Sequence, residues 1–413
     1  MKIGVIGTGY VGLPTAIGFA SKGFDIICID KDETKIDELK RGNLYLFENG
    51  LEDLFNKYKE NIIFSTSIDL IKDCDFVIIA VGTPTSEDGR SAYLGYLKDV
   101  AKDINKINFK KNITIAIKST VPVGTGDVIE NIINNSKVNL ISMPEFLREG
   151  YALEDFLDPD RIVVGGENVD KILIKTLYKD FNTQILFTDR HSSELIKYAS
   201  NSFLAIKLHY INEIANLCEK VNANIDDVAK GMGLDSRIGL KFLKAGIGYG
   251  GSCFPKDTKA LDYLADEKGV KLSLVKNAIQ GNEERIINFA NMINKYNKIA
   301  IFGLAFKENT DDCRESPAIK LINNLNGDVS VYDPKAIDKA KKILGNKVKY
   351  GTPYEIVKGV DVLVIATEWN EFKYYDYDKI YSLMNNKLII DLRNILDKDK
   401  LHKFKYIGVG KNV

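Results

Sequence analysis

Met1-Lys2-Ile3-Gly4-Val5-Ile6-Gly7-Thr8-Gly9-Tyr10-Val11-Gly12-Leu13-Pro14-Thr15-Ala16 opens the chain. A short apolar run enters a glycine turn, and an amphipathic helical pattern leaves it. The glycines stand as G-x-G-x-x-G. That spacing alone is weak evidence, but here a strand precedes it, a helix follows it, and the next apolar run ends on Asp30. Gly7 permits the tight turn, Gly9 lets backbone approach a pyrophosphate, and Gly12 lets helix and strand pack closely. Tyr10 and Val11 complete the turn, and the following helix N-terminus stabilises phosphate charge. Asp30 would accept hydrogen bonds from the adenosine ribose and repel a 2′-phosphate. The expected cofactor is therefore NAD rather than NADP.

Outward from this turn the pattern repeats. Residues 2–6, 26–30, 75–81, 113–118 and 138–142 read as buried strands, with helical periodicity over 11–22 and 33–41. Such alternation predicts a parallel sheet with helices on both faces. Two strand ends add to the cofactor site, Val81-Gly82-Thr83-Pro84-Thr85 and Lys118-Ser119-Thr120-Val121-Pro122-Val123-Gly124, because ligands of open parallel sheets sit at carboxyl ends. Thr83 would serve equally well as a helix N-cap; Thr120 is favoured as a functional residue near the nicotinamide end.

From Ser192 to Val221 the chain lacks Gly and Pro and repeats apolar residues at helical spacing, which predicts one long helix. Helical signal continues over 225–232 and 256–268, with Asp226 and Asn282 read as turn or cap residues. Near residue 298 the alternation restarts. Residues 298–303, 328–333, 362–366 and 388–391 read as further parallel strands. The expected architecture is α/β: two Rossmann-like doubly wound parallel-sheet domains, 1–191 and 296–413, joined by a helical central domain, 192–295.

Composition narrows the function. A chain of 413 residues exceeds a single core. Lys plus Arg and Asp plus Glu number 57 each, so no global field draws a nucleic acid. Five scattered cysteines fit a reducing, cytoplasmic setting rather than a disulfide framework. No signal peptide and no membrane-spanning run are read. His191, His209 and His402 lack partners at ligand spacing, so no metal site is expected.

Gly246-Ile247-Gly248-Tyr249-Gly250-Gly251-Ser252-Cys253-Phe254-Pro255-Lys256-Asp257 is the stretch richest in chemistry. Four glycines let backbone approach a ligand, and Pro255 suits the first turn of a helix. Cys253 then stands at a helix N-terminus, where the dipole favours thiolate and hence a nucleophile. Asp257, four residues on, could face the same pocket. Cys28, Cys74, Cys218 and Cys313 read as inert buried thiols. On the long helix Lys197 and Asn201 share a face and could stabilise an oxyanion, although a solvated pair is the plainer reading of those two alone.

In order and spacing, Gly7–Gly12, Lys118–Gly124, Pro144-Glu145-Phe146-Leu147-Arg148-Glu149-Gly150, Asp158-Pro159-Asp160-Arg161, Arg237-Ile238-Gly239, Gly250–Asp257, Phe306-Lys307 with Arg314-Glu315-Ser316, and Thr367-Glu368-Trp369 resemble the UDP-glucose/GDP-mannose dehydrogenase family across nearly the whole chain. The resemblance implies an NAD-dependent, four-electron oxidation of a nucleotide-linked sugar alcohol to a carboxylate. UDP-glucose is the expected substrate, with GDP-mannose or another UDP-hexose as the alternative.

It further implies that Cys253 forms a thiohemiacetal and then a thioester. Lys197, Asn201 and Asp257 would complete the catalytic group, with Asp257 and Thr120 arranging a water and Glu149 as base beside Glu145. Lys35, Thr83, Glu149, Lys256 and Arg314 would contact the cofactor. Glu145, Phe146, Leu147, Arg148, Lys197, Asn201, Arg237, Lys244, Tyr249, Gly250, Phe306, Lys307 and Arg393 would bind the sugar nucleotide, Arg237 reaching a neighbouring subunit. Lys35 departs from the arginine common in the family. A homodimer or higher homo-oligomer is expected through the long helix, whose Leu195, Phe203, Leu204, Ile211 and Ile214 exceed what one buried face needs. A two-electron hydroxyacid dehydrogenase or a non-catalytic NAD sensor would also carry the first domain, but neither needs Cys253.

Overall fold

The computed structural model describes residues 1–411. The chain divides into two compact units, Met1–Ser200 and Asn201–Val413. The last two residues of the expected 296–413 domain lie outside the described part.

The first unit is built on eight strands: β1 (Lys2–Ile6), β2 (Asp25–Ile29), β3 (Ile62–Ser65), β4 (Phe76–Ile79), β5 (Ile113–Ile117), β6 (Val138–Ser142), β7 (Arg161–Gly165) and β8 (Gln184–Thr188). They lie in the order β3-β2-β1-β4-β5-β6-β7-β8. The order reverses between β1 and β4, the crevice where doubly wound sheets bind ligands. Around them run α1 (Gly12–Ser21), α2 (Glu33–Lys40), α3 (Leu51–Tyr58), α4 (Gly95–Asn105), α5 (Thr125–Ile133), α6 (Ala152–Leu157) and α7 (Lys171–Leu177). Strand alternation sends Ile3 and Val5 into one apolar layer and Ile6, with Val77 and Ile79, into the other.

The division between units falls within α8 (Arg190–Val221), a helix of 32 residues. The second unit continues with α9 (Ile225–Gly233), α10 (Phe254–Glu267) and α11 (Ser273–Ile293). Its sheet holds β9 (Lys298–Phe302), β10 (Asp328–Tyr332), β11 (Lys349–Tyr350), β12 (Val362–Ile365), β13 (Leu388–Asp391) and β14 (Lys405–Gly408), in the order β11-β10-β9-β12-β13-β14 and parallel throughout. After β9 the helix α12 (Pro317–Asn323) packs against α11.

The second sheet begins as the first does. Gly7 has φ +102° and donates to Ile29 O at 2.7 Å; Gly303 has φ +101° and donates to Tyr332 O at 2.8 Å. The loops then diverge. Gly303-Leu304-Ala305-Phe306-Lys307-Glu308 has no second or third glycine, and the buried Asp333 carboxylate accepts Leu304 N at 2.7 Å and Ala305 N at 3.0 Å. That carboxylate is committed to its own loop.

Several expectations need correction. The first sheet is mixed, since β7 pairs antiparallel with β6. Nine of the ten residues of α1 are buried, so this helix lies inside the unit rather than presenting an amphipathic face. Asn282 is no turn: it sits inside α11, turned inward. Asp226 is no cap either, because the Asn224 side chain caps α9 by accepting from Asp226 N. Ile211 of α8 is buried in this chain's own core and Ile214 packs against that core. The exposed large apolar side chains of α8 are Leu195, Phe203, Tyr210, Leu217 and Val221.

Candidate active site

In the first unit the glycine turn has the three properties its spacing requires. A Cβ on Gly7 would lie 2.6 Å from Ala80 O, and one on Gly12 would lie 1.9 Å from Gly7 O. A Cβ on Gly9 would meet nothing within 4 Å. Gly7 and Gly12 are therefore demanded by the protein itself, whereas Gly9 borders open space at the start of α1, where a phosphate can approach backbone. Val11, the N-cap of α1, offers no side-chain cap bond.

Asp30 follows β2 and faces this turn. Its Oδ2 accepts from Thr8 N at 2.9 Å and Thr8 Oγ1 at 2.7 Å, and its Oδ1 accepts from Asp32 N at 3.1 Å. Burial opposes its ionisation, but these bonds outweigh burial and hold the carboxyl below its ordinary value. Lys35 lies nearby on α2, 3.9 Å from Asp32. A fixed carboxylate at this strand end suits the ribose hydroxyls of a dinucleotide.

Thr83 and Thr120 are joined: Thr83 Oγ1 donates to Thr120 O at 2.7 Å. Neither caps a helix, since Leu94 occupies the N-cap of α4 and Gly124 that of α5. Three positions after β6, Glu145 is buried and ion-paired with Lys197 of α8 at 3.0 Å, while its Oε2 accepts from Leu147 N at 2.6 Å. Burial pushes the Glu145 pKa up, but the Lys197 charge and hydrogen bond bring it below the usual carboxylate range. Phe146 carries the Arg161 guanidinium 3.7 Å above its ring and Lys197 Nζ at 5.5 Å. Arg148 turns instead to Asp155, 2.5 Å away, and the half-buried Glu149 follows it.

The second unit holds the thiol. Cys253 is half-buried at the N-cap of α10, with Pro255 in the first turn; the other four cysteines are buried. Burial pushes Cys74 and Cys313 up to about 12, which keeps them inert. Asp257 lies one turn on, its N donating to Cys253 O at 2.8 Å. Its two oxygens accept from Asn201 Nδ2 and Lys256 Nζ, each at 2.6 Å. Lys197 and Asn201 are one turn apart on α8, so one helix face supplies an ammonium and an amide.

The cysteine loop is clamped by side chains absent from the expected set. Asn282 accepts from Tyr249 N at 2.8 Å and donates to Tyr249 O at 3.0 Å. Arg285, one turn further along α11, donates to Gly246 O at 2.6 Å, and Asn212 accepts from Gly246 N at 2.9 Å. A Cβ on Gly250 would lie 2.3 Å from Glu315 O, and one on Gly251 would lie 2.7 Å from the Phe306 ring. Phe306 O in turn accepts from Arg393 Nη2 at 3.0 Å, and Lys307 lies 5.5 Å from the Phe306 ring centroid. The structure thus gathers Tyr249, Gly250, Phe306, Lys307 and Arg393 around one loop. Arg237 pairs with Asp235, Arg314 pairs with Asp312, and Lys244 stays exposed.

Three family models match the chain: the NAD binding domain of the UDP-glucose/GDP-mannose dehydrogenase family over residues 1–182, its central domain over 191–284 and its UDP binding domain over 300–398. The chain belongs to the UDP-glucose/GDP-mannose dehydrogenase family. It is 44% identical to the UDP-glucose 6-dehydrogenase of Rhizobium meliloti over 100% of both chains. It is 42% identical to UDP-glucose 6-dehydrogenase TuaD of Bacillus subtilis, over 98% of this chain and 92% of that one. A solved UDP-glucose dehydrogenase from the archaeon Pyrobaculum islandicum superposes with a TM-score of 0.91 at 33% identity, covering 99% of this chain and 98% of that one.

As a member of this family the protein is an NAD-dependent nucleotide-sugar dehydrogenase. Its residues 1–182 match the family's NAD binding domain and its residues 300–398 the UDP binding domain. Among the described residues no helix is long and apolar enough to cross a membrane, and no group of three or more His, Cys, Asp or Glu could hold a metal ion. Sequence reasoning missed Asn282, Arg285 and Asn212. It also missed Glu194 of α8, whose two oxygens accept from Gly124 N at 2.6 Å and Gly126 N at 2.8 Å.

Proposed function

We propose that this dehydrogenase oxidises UDP-glucose to UDP-glucuronate through covalent intermediates on Cys253. The observation that carries the reading is the half-buried Cys253 on the clamped glycine loop, one turn from an Asp257 already bonded to Asn201 and Lys256. The identity with UDP-glucose 6-dehydrogenases over full length supports the hexose.

NAD, when bound, accepts a hydride in each of the two oxidations. The chain's own groups do the rest. In the first oxidation the sugar hydroxyl loses its proton as hydride leaves carbon. Lys197 stands beside that oxygen: the proton passes to its amine, and the ammonium so formed stabilises the negative charge developing there, a contribution typically worth on the order of a hundredfold. Cys253 then adds to the aldehyde: a C–S bond forms and the carbonyl oxygen takes a proton, giving a thiohemiacetal that retains the reactive carbonyl. Loss of a second hydride and the hydroxyl proton leaves a thioester. Water attacks it, with Asp257, Thr120 and Glu149 as the residues the family resemblance assigns to holding that water and taking its proton; the C–S bond breaks, the thiol is restored, and the carboxylate departs. Asn201 orients Asp257 throughout. Two NADH form per sugar and one water is consumed.

A second copy completes the proposal. The exposed Phe203, Tyr210 and Leu217 recur every seven residues on α8, a spacing that lines one helix face and suits self-association. A two-fold dimer through this face would let Arg237 serve a partner's site. A monomer by light scattering at micromolar concentration would refute it.

The chemistry is tested by counting NADH per UDP-glucose and by intact mass. Two equivalents are expected. Cys253→Ser should accumulate a sugar-linked adduct with turnover nearly abolished. Cys253→Ala should form no adduct; release of acid at the native rate by that variant overturns the covalent reading.

A further inference from the structure

Lys118 directly follows β5, and Glu145 follows the adjacent strand β6. The two strand exits run side by side: Ile117 pairs with Ser142 in register, and Met143 N donates to Ile117 O at 2.9 Å. Alternation sets the direction. Ile113, Ile115 and Ile117 belong to one apolar layer and Ala116 to the other, with Ile141 and Met143. Lys118 continues the Ala116 side, and Glu145 continues the Met143 side. Both are buried, Lys118 with 6% of its surface exposed. Glu145 is already held by Lys197 at 3.0 Å and by Leu147 N at 2.6 Å. Among the described residues no hydrogen bond or ion pair reaches the Lys118 ammonium. One buried carboxylate therefore stands against two buried ammonium groups.

We propose that Lys118 is a positioning residue for proton transfer: by setting a second cation against the Lys197–Glu145 pair, it makes Lys197 shed its proton readily and take up the proton of the sugar hydroxyl. The proposal rests on the reading of Lys197 as the group beside the reacting oxygen. The step balances. A neutral Lys197 amine accepts the hydroxyl proton as hydride leaves carbon for the nicotinamide; alcohol becomes carbonyl, the amine becomes ammonium, and the proton later passes to water. Lys118 touches no reacting atom.

Of the other charged groups near Lys197, Arg161 of β7 is stacked on Phe146. Glu194, one turn earlier on α8, is committed to Gly124 N and Gly126 N. Burial brings Lys118 itself down to about 8, with Glu145 pulling it back up and Lys197 pushing it further down.

The test uses the full-length enzyme and two readouts. The first is the pH dependence of kcat for wild type, Lys118→Met, Lys118→Arg and Lys197→Met. Lys118→Met should move the acid limb upward by about one unit or more, a tenfold loss at a fixed pH below the limb, with activity recovered on the alkaline side. Lys118→Arg keeps the charge and should keep the limb. A limb that stays in place, or a uniform loss at every pH, overturns the proposal. If Lys197→Met turns over at the native rate, the catalytic reading of Lys197 falls and takes the proposal with it. If Lys197→Met is inactive while Lys118→Met leaves the limb in place, only the proposal falls. The second readout is thermal unfolding without substrate. A lysine with a depressed folded pKa burdens the fold while charged, so the Tm of wild type should rise relative to Lys118→Met from pH about 8 to about 10.4. Parallel Tm curves overturn it as well.

Discussion

Lys197 Nζ and Glu145 Oε1 meet at 3.0 Å with both side chains almost wholly buried, an ammonium of α8 closed over the carboxylate that follows β6. Removing one partner of a buried pair strands the other charge, typically at a cost of about 3–5 kcal/mol. Here Lys118 adds a second stranded cation, so Glu145→Gln should lower stability by at least about 3 kcal/mol. The sign with pH follows from the depressed Glu145 pKa, where burial raises it and Lys197 more than reverses that. A group depressed in the folded state contributes fully above its unfolded value near 4.3, and the contribution is lost as pH falls through the folded value. The gap between wild type and Glu145→Gln, measured by urea unfolding, should be constant near neutrality and close below about pH 4. A gap independent of pH would mean that Glu145 is not ionised in the fold.

The cysteine loop should depend on Asn282 as strongly as on its own residues. Asn282 pairs with both the N–H and the carbonyl of Tyr249, four residues before Cys253. Asn282→Ala leaves two buried backbone groups unpaired, each costing about 1–3 kcal/mol. The loop would also lose its register, so kcat should fall by tenfold or more while the apparent affinity for NAD, bound in the other unit, stays near native. Equal losses in kcat and NAD affinity would point to general unfolding instead.

Glu194 should act on the Thr120 loop in a comparable way. Its carboxylate takes two backbone donors at the start of α5, Gly124 N at 2.6 Å and Gly126 N at 2.8 Å, from a position three residues before Lys197. Glu194→Ala frees the loop that presents Thr120 and leaves those donors buried. A kcat loss of tenfold or more with a lowered Tm is expected, and Glu194→Gln, which keeps one acceptor, should recover part of both. An unchanged kcat in Glu194→Ala would show that Thr120 needs no such anchor.

The glycine turn and the loop that carries the thiol were legible because their spacing follows from local geometry. Gly7, Gly9 and Gly12 are fixed by a turn, and Cys253 by a helix start. Strands with continuous apolar runs, such as Phe76–Ile79, were equally plain. The edge strands were not. β3 exposes Ile63, and β8 alternates with Gln184 and a threonine, so neither has the buried run that marks a parallel strand. Asn282 was misread because its residue type favours turns, while in the fold it trades that local preference for two bonds to a distant loop. Lys118 left a faint signal, a charge placed directly after a wholly buried strand. Glu194 left one too, a carboxylate three residues from Lys197 on a helix, but their partners could be known only from tertiary structure.

The glycine turn permits the sharpest separation of folding from binding. Gly12→Ala forces a Cβ to 1.9 Å from Gly7 O, a backbone atom that cannot yield without moving the turn. Gly9→Ala meets no protein atom within 4 Å. If Gly9 is kept solely for the close approach of a pyrophosphate, Gly9→Ala should fold with a native Tm, yet bind NAD at least tenfold more weakly, because a methyl group now occupies the path of the phosphate. Gly12→Ala should lose stability and NAD binding together. Asp30→Ala offers the matching control at the ribose end: it removes charge-assisted hydrogen bonds worth about 1.5–3 kcal/mol and so should narrow the preference for NAD over NADP by about tenfold or more. Thermal unfolding and fluorescence titration with NAD and NADP on the three variants would decide it. A Gly9→Ala protein that binds NAD as tightly as wild type would place the pyrophosphate away from Gly9 and remove the physical basis for reading this turn as the dinucleotide cradle.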